Sequence, residues 1–97
     1  SSVKLQRKDD MIYLIFAFRS RTQSIRFSGE LKAAGVVNTL VSTPREVSVG
    51  CGLSVKIGES AIGVAAAKLH ALELNTFIGA FRVTHIGSEK HVERITV

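Results

Sequence analysis

Apolar residues in this chain fall into short blocks, and the spacing inside each block names an element. Met11–Phe18 (MIYLIFAF) is β-branched and aromatic, and it is flanked by Asp9, Asp10 and Arg19. Both of its alternating faces are apolar, which predicts a central strand. Arg21–Ala34 predicts a helix, with Ile25, Phe27, Leu31 and Ala34 as the apolar side, Ser20 or Thr22 as the cap, and Gly35 where the chain must turn out. Gly29 weakens that helix by about 1 kcal/mol relative to alanine. Val36–Val41 and Leu53–Ile57 read as two further strands, separated by Ser42–Gly52, too long a segment for a tight hairpin. Gly58-Glu59-Ser60 opens a second helix, capped by Ser60 and running through Ile62, Ala65, Leu69 and Leu72. Phe77–Val83 is a fourth strand. The remainder, Thr84–Val97, is polar and becomes strand-like at Val92, Ile95 and Val97.

The order βαββαβ predicts an α+β fold, a ferredoxin-like sandwich. Its four-stranded antiparallel sheet would run 4-1-3-2, with two helices on one face. Residues 1–10 are expected as an extension, 11–83 as the single domain and 84–97 as a tail. The topology sends the end of the first strand, the start of the first helix and the Ser42–Gly52 loop to one edge. Arg19, Ser20, Arg21, that loop, His70 and Asn75 are expected to gather there. Two helices cover one sheet face only, so the other needs a cover: a homodimer is the expected one, with the chain's own tail, through Val92, Ile95 and Val97, as its main competitor.

Composition narrows the function classes. With 45% hydrophobic and 22% charged residues the chain is globular rather than disordered. The formal charge of +5 favours anionic partners. The excess is spread along the chain, and aromatics are few with no tryptophan, so nucleic acid is not the expected partner. One cysteine forms no internal disulfide, and the first ten residues lack the apolar core of a secretory leader, so a cytoplasmic setting is expected. No run of apolar residues is long enough to cross a bilayer, and no membrane partner is expected. His70 reads as a helix-face residue rather than an acid or base, and His85 and His91 are expected at the surface. With Cys51 they have no metal-ligand spacing, so neither a metal nor a cofactor is expected.

The chemistry concentrates in Ser42–Gly52. Thr43-Pro44-Arg45-Glu46 has the spacing of a capping box with proline at the first helical position, predicting one helical turn from Pro44 to Val49. Gly50 and Gly52 then bracket Cys51, letting backbone N–H groups and the thiol approach a ligand closely. A free thiol is only a few per cent ionised at neutral pH; Arg45, Arg19 or Arg21 and a helix N-terminus would raise that fraction. Cys51 is the candidate catalytic residue, and Arg45, Gly50, Gly52, Ser48, Arg19 and Arg21 are the candidate ligand-binding set.

The segment TPREVSVGCGLSVKI, preceded by a strand, a helix and Ala34-Gly35, resembles a family of small bacterial selenium/sulfur carrier-like proteins. The resemblance is carried by Thr43, Pro44, Arg45, Ser48, Cys51 and Gly52 and covers about residues 11–83. It implies that Cys51 carries sulfur or selenium as a persulfide or selenopersulfide, between donor and acceptor proteins. Other small sulfur-relay carriers hold a Cys-Pro-x-Pro motif at a helix start, where this chain has Cys51-Gly52-Leu53. A carrier or accessory protein is expected rather than a turnover enzyme. The alternative is a non-catalytic module whose loop N–H groups and arginines bind an anion or a protein partner.

Overall fold

A computed structural model describes residues 10–44, 47 and 52–97. Its elements are β1 (Asp10–Phe18), α1 (Arg21–Ala33), β2 (Asn38–Ser42), β3 (Leu53–Gly58), a 3₁₀ turn (Glu59–Ala61), α2 (Ile62–Leu72), β4 (Phe77–Ile86) and β5 (Glu89–Ile95). All strand pairs are antiparallel, and the sheet runs β2-β3-β1-β4-β5.

The fold is α+β, with two helices and an antiparallel sheet. The expected four-stranded, ferredoxin-like sheet needs correction, because five strands are present. The reason is a hairpin at Gly87-Ser88. Ile86 pairs with Glu89 across that two-residue turn, and Gly87 takes φ +60°, as a II′ hairpin requires. β4 therefore continues to Ile86, and the polar residues after it add a strand beside β4.

β1 sits at the centre and divides the sheet's faces. Leu14, Phe16 and Phe18 point to the helices and join Phe27, Leu31, Val55, Ile57, Ala65, Leu69 and Ala80 in the core. Four phenylalanine rings form its middle: Phe16 and Phe18 each lie against both Phe27 and Phe77, at centroid distances of 5.2–6.0 Å. Residues from both helices meet the same sheet face in this core.

The buried side of α1 differs from the expected one. Ile25 is 51% exposed, whereas Ser24 and Ser28 are buried beside Phe27 and Leu31. Both serines tolerate burial because their hydroxyls are bonded, Ser24 to the Leu53 carbonyl and Ser28 to the Asn38 side chain. α1 ends as predicted: Val36 N–H donates to Leu31 and Gly35 N–H to Lys32, with Gly35 at φ +85°. This is the Schellman pattern, in which glycine carries the left-handed residue. At α2, Ser60 is not the cap. It lies in the 3₁₀ turn, and the helix starts after Ala61 with no side-chain cap bond. Glu59 in that turn is held instead by Arg82, at 2.8 Å.

Candidate functional site

The end of the sheet where β1 finishes is tied together by backbone and short polar side chains. The Arg19 N–H donates to the Thr76 carbonyl at 2.8 Å, joining the end of β1 to the start of β4. Ser20 caps α1, its Oγ accepting from the Gln23 N–H at 3.3 Å. The Gln23 amide then bridges to the α2–β4 connection: Nε2 donates to Asn75 Oδ1 at 2.9 Å, and Oε1 accepts from both the N–H and the hydroxyl of Thr76. At the next residue, the buried Ser24 hydroxyl donates to the Leu53 carbonyl at 2.8 Å.

The cysteine-bearing loop closes on this platform. The Thr43 N–H donates to the Gly52 carbonyl at 2.7 Å, and Thr43 Oγ1 shares a hydrogen bond with the buried Ser54 Oγ at 2.7 Å. Within the loop, the Val47 N–H donates to the Pro44 carbonyl at 3.0 Å, the i to i+3 bond of a single turn, and Val47 is buried. Gly52 leaves the loop at φ +83°, where a β-carbon would be strained. The loop's two ends are thus pinned side by side, and α1's first turn is bonded to its outgoing strand.

Of the candidate catalytic and ligand-binding residues, Arg19, Arg21 and Gly52 are described. Arg19 and Arg21 are exposed, at the platform end. Cys51, Arg45, Ser48 and Gly50 lie outside the described residues, as do Glu46 and Val49 of the predicted helical turn. Asn75 joins the platform through Gln23. His70 is exposed, and its Nε2–H donates to the Val97 carbonyl oxygen at 3.2 Å. His85 departs from its surface expectation. It is half-buried, with Nε2 3.0 Å from the Tyr13 hydroxyl and the two rings stacked at 5.6 Å.

Sequence reasoning missed Gln23, Ser24, Ser54 and Thr76. Only their tertiary partners give these residues a role, and those partners are remote in sequence. Among the described residues, no three His, Cys, Asp or Glu side chains group as a metal site. No helix among them is long and apolar enough to cross a membrane.

A strand–helix–strand platform that pins both ends of the segment between β2 and β3, the segment holding the chain's one cysteine in sequence, defines a small α+β protein. The family described as "Putative Se/S carrier protein-like" matches residues 13–76, well over half the chain, and the chain belongs to that family. The match begins in β1 and ends at Thr76, so β4 and β5 lie beyond it. Neither a curated protein nor a solved structure matches the chain.

Proposed function

We propose that the protein carries sulfur or selenium on Cys51, as a persulfide or selenopersulfide, between donor and acceptor proteins. The observation that carries this reading is family membership over a segment that includes the chain's only cysteine. The pinned loop supports it, because a carrier must present its thiol on a fixed mount yet leave it open to two partners in turn.

The step is a thiol exchange with no net redox change. The Cys51 thiolate attacks the outer sulfur of a donor persulfide, R–S–SH. The donor's S–S bond breaks, R–S⁻ leaves, and Cys51–S–SH forms. An acceptor nucleophile then attacks the outer sulfur and returns the Cys51 thiolate. Arg45, Arg19 and Arg21 favour the thiolate electrostatically, and backbone N–H groups flanked by Gly50 and Gly52, with Ser48, receive the anionic persulfide. This makes the protein a carrier rather than a turnover enzyme, working with no cofactor of its own in the cytoplasm.

Intact mass after incubation with a low-molecular-weight persulfide tests the reading. One added sulfur, about 32 Da, is expected on the native chain and none on Cys51→Ser. Equal labelling of both, or of neither, sinks the carrier reading. Neither being labelled while an anion still binds the loop would favour the non-catalytic module.

The homodimer expected from the sheet's second face loses its main ground. Ile15, Ala17 and Val83 on that face are 0–1% exposed within one chain. We propose a monomer.

A further inference from the structure

The two faces of the sheet differ in charge, which the linear sequence conceals. Directly paired residues of antiparallel strands share a face, so the register assigns every strand position. Glu89 and Glu93 of β5 fall on the helix side, where Glu93 lies 3.8 Å from Arg82. Lys90 and Arg94 alternate with them and fall on the opposite face. They share it with Lys56 of β3, His85 and Phe81 of β4, and Tyr13 of β1. Among the described strand residues that face carries no aspartate or glutamate.

The aromatic rings there are set among cations. Lys56 Nζ lies 4.4 Å from the Tyr13 ring centroid, and the Arg94 guanidinium lies 5.7 Å from that of Phe81. Arg94 runs along the face over Gly79, and its Nη2 donates to the Ile78 carbonyl at 2.8 Å. Tyr13 is fixed from its other side by His85. Ile15 and Val83 of the same face are buried, so the accessible layer consists of these longer side chains. Beside Tyr13 and Lys56 a groove of about 250 Å³ opens toward Thr39 and Gly58.

We propose that this face binds single-stranded nucleic acid. The cations stand on β3 and β5, three strand spacings or about 14 Å apart, a track for a phosphate backbone rather than a point charge. An acidic protein surface would ask only for cations. Here each of the two half-buried rings, Tyr13 and Phe81, already carries a cation on its face. A lysine over a ring is held less strongly than a stacked base. A base can therefore replace Lys56 on Tyr13, freeing the ammonium for a phosphate. The Arg94 plane over Phe81 is itself a surface on which bases stack. This reading does not depend on Cys51.

Fluorescence anisotropy of the full chain with a labelled single strand of about twelve nucleotides tests it. Binding is expected at low salt, weakening steeply as salt rises. Lys56→Glu and Arg94→Glu should each weaken it about tenfold or more, and Lys32→Glu on α1 should not. Tyr13→Leu, which keeps apolar bulk but no stacking ring, should weaken it about fivefold. Thermal melts of each variant establish that it is folded. No binding at low salt would overturn the proposal, as would equal loss in Lys32→Glu. So would tighter binding of a duplex of the same length. Equal affinity for labelled poly-glutamate, with no effect of Tyr13→Leu, would also overturn it and assign the face to an acidic protein.

Discussion

The Ser24 hydroxyl donates to the Leu53 carbonyl at 2.8 Å, joining the first turn of α1 to the strand that leaves the cysteine loop. Both the helix N-terminus and the loop exit are set by this contact, because Ser24 is fully buried and has little freedom to turn away. Ser24→Ala removes the bond and should cost about 1 kcal/mol. That is about 4–8 °C in melting temperature for a domain of this size. Ser24→Thr retains a hydroxyl in nearly the same place and should lose less. An unchanged melt in Ser24→Ala would show that the contact contributes nothing net.

The proposed thiol chemistry makes a separate, kinetic prediction. If the arginines favour the thiolate, iodoacetamide should modify Cys51 faster than free cysteine between about pH 6 and 7. Arg45→Ala should slow that reaction, and raising salt should slow it too, since exposed charges are screened. A rate no faster than that of free cysteine would remove the arginines from the mechanism.

Glu73 closes α2 with φ +50°, the only positive φ at a non-glycine position among the described residues. A side chain held there costs about 1–2 kcal/mol, whereas glycine adds back about 0.5–1 kcal/mol of unfolded-state entropy. Glu73→Gly should therefore stabilise the protein by up to about 1 kcal/mol, a rise of a few degrees in a thermal melt. A fall would mean that the glutamate side chain makes a stabilising contact that outweighs the strain.

Phe27 is the ring through which α1 meets β1, packed on Phe16 at 5.2 Å and Phe18 at 5.4 Å with no exposed surface. Phe27→Ala should cost about 3–5 kcal/mol. A domain of this length has about 5–15 kcal/mol in all, so urea titration should show a midpoint at least a fifth lower. Phe27→Leu keeps most of the volume and should cost less than half as much.

What the sequence revealed and what it hid follow from the range of the interactions. β1 was legible because a central strand is apolar on both faces, and the end of α1 because Leu31, Gly35 and Val36 carry a local turn signal. The cysteine loop was legible as a motif, with its threonine, proline and glycines in order. Ser24 and Ser28 were not legible as buried residues. Their partners, Leu53 and Asn38, are distant in sequence or belong to another element, and serine on a helix reads as polar surface. β5 was half-legible. Gly87-Ser88 is a hairpin signal, but Glu89–Ile95 has charged residues on both faces, as an exposed edge strand should, and so shows no alternation. The separation of Lys90 and Arg94 from Glu89 and Glu93 appears only once the strand register is known.

That edge strand bears on association. β5 covers the outer side of β4 along its pairing from Ala80–Ile95 to Ile86–Glu89, and Val83 sits opposite Val92. Without it β4 would become an edge with unpaired backbone groups from Ala80 to Ile86, carrying Phe81 and Val83 on one face. Among the large exposed apolar residues that remain, Ile12, Leu40 and Ile86 fall on the helix side of the sheet, Ile25, Val37 and Val64 lie on the helices and the α1–β2 connection, and none falls on the face away from the helices. Association through a sheet face therefore has little to drive it, whereas edge pairing would after truncation. Sedimentation at tens of micromolar should find the full chain monomeric and a chain ending at Ile86 associated. Glu93→Pro offers a second route to the same state: counting from the Ile86–Glu89 pair beside the turn, Glu93 and Arg82 form a hydrogen-bonded pair, so a proline there removes a ladder donor without shortening the chain. A dimer in the full-length sample would restore face-to-face packing as the assembly. A monomer in all three samples would mean that β5 protects no edge, leaving its charged face as the reason for its presence.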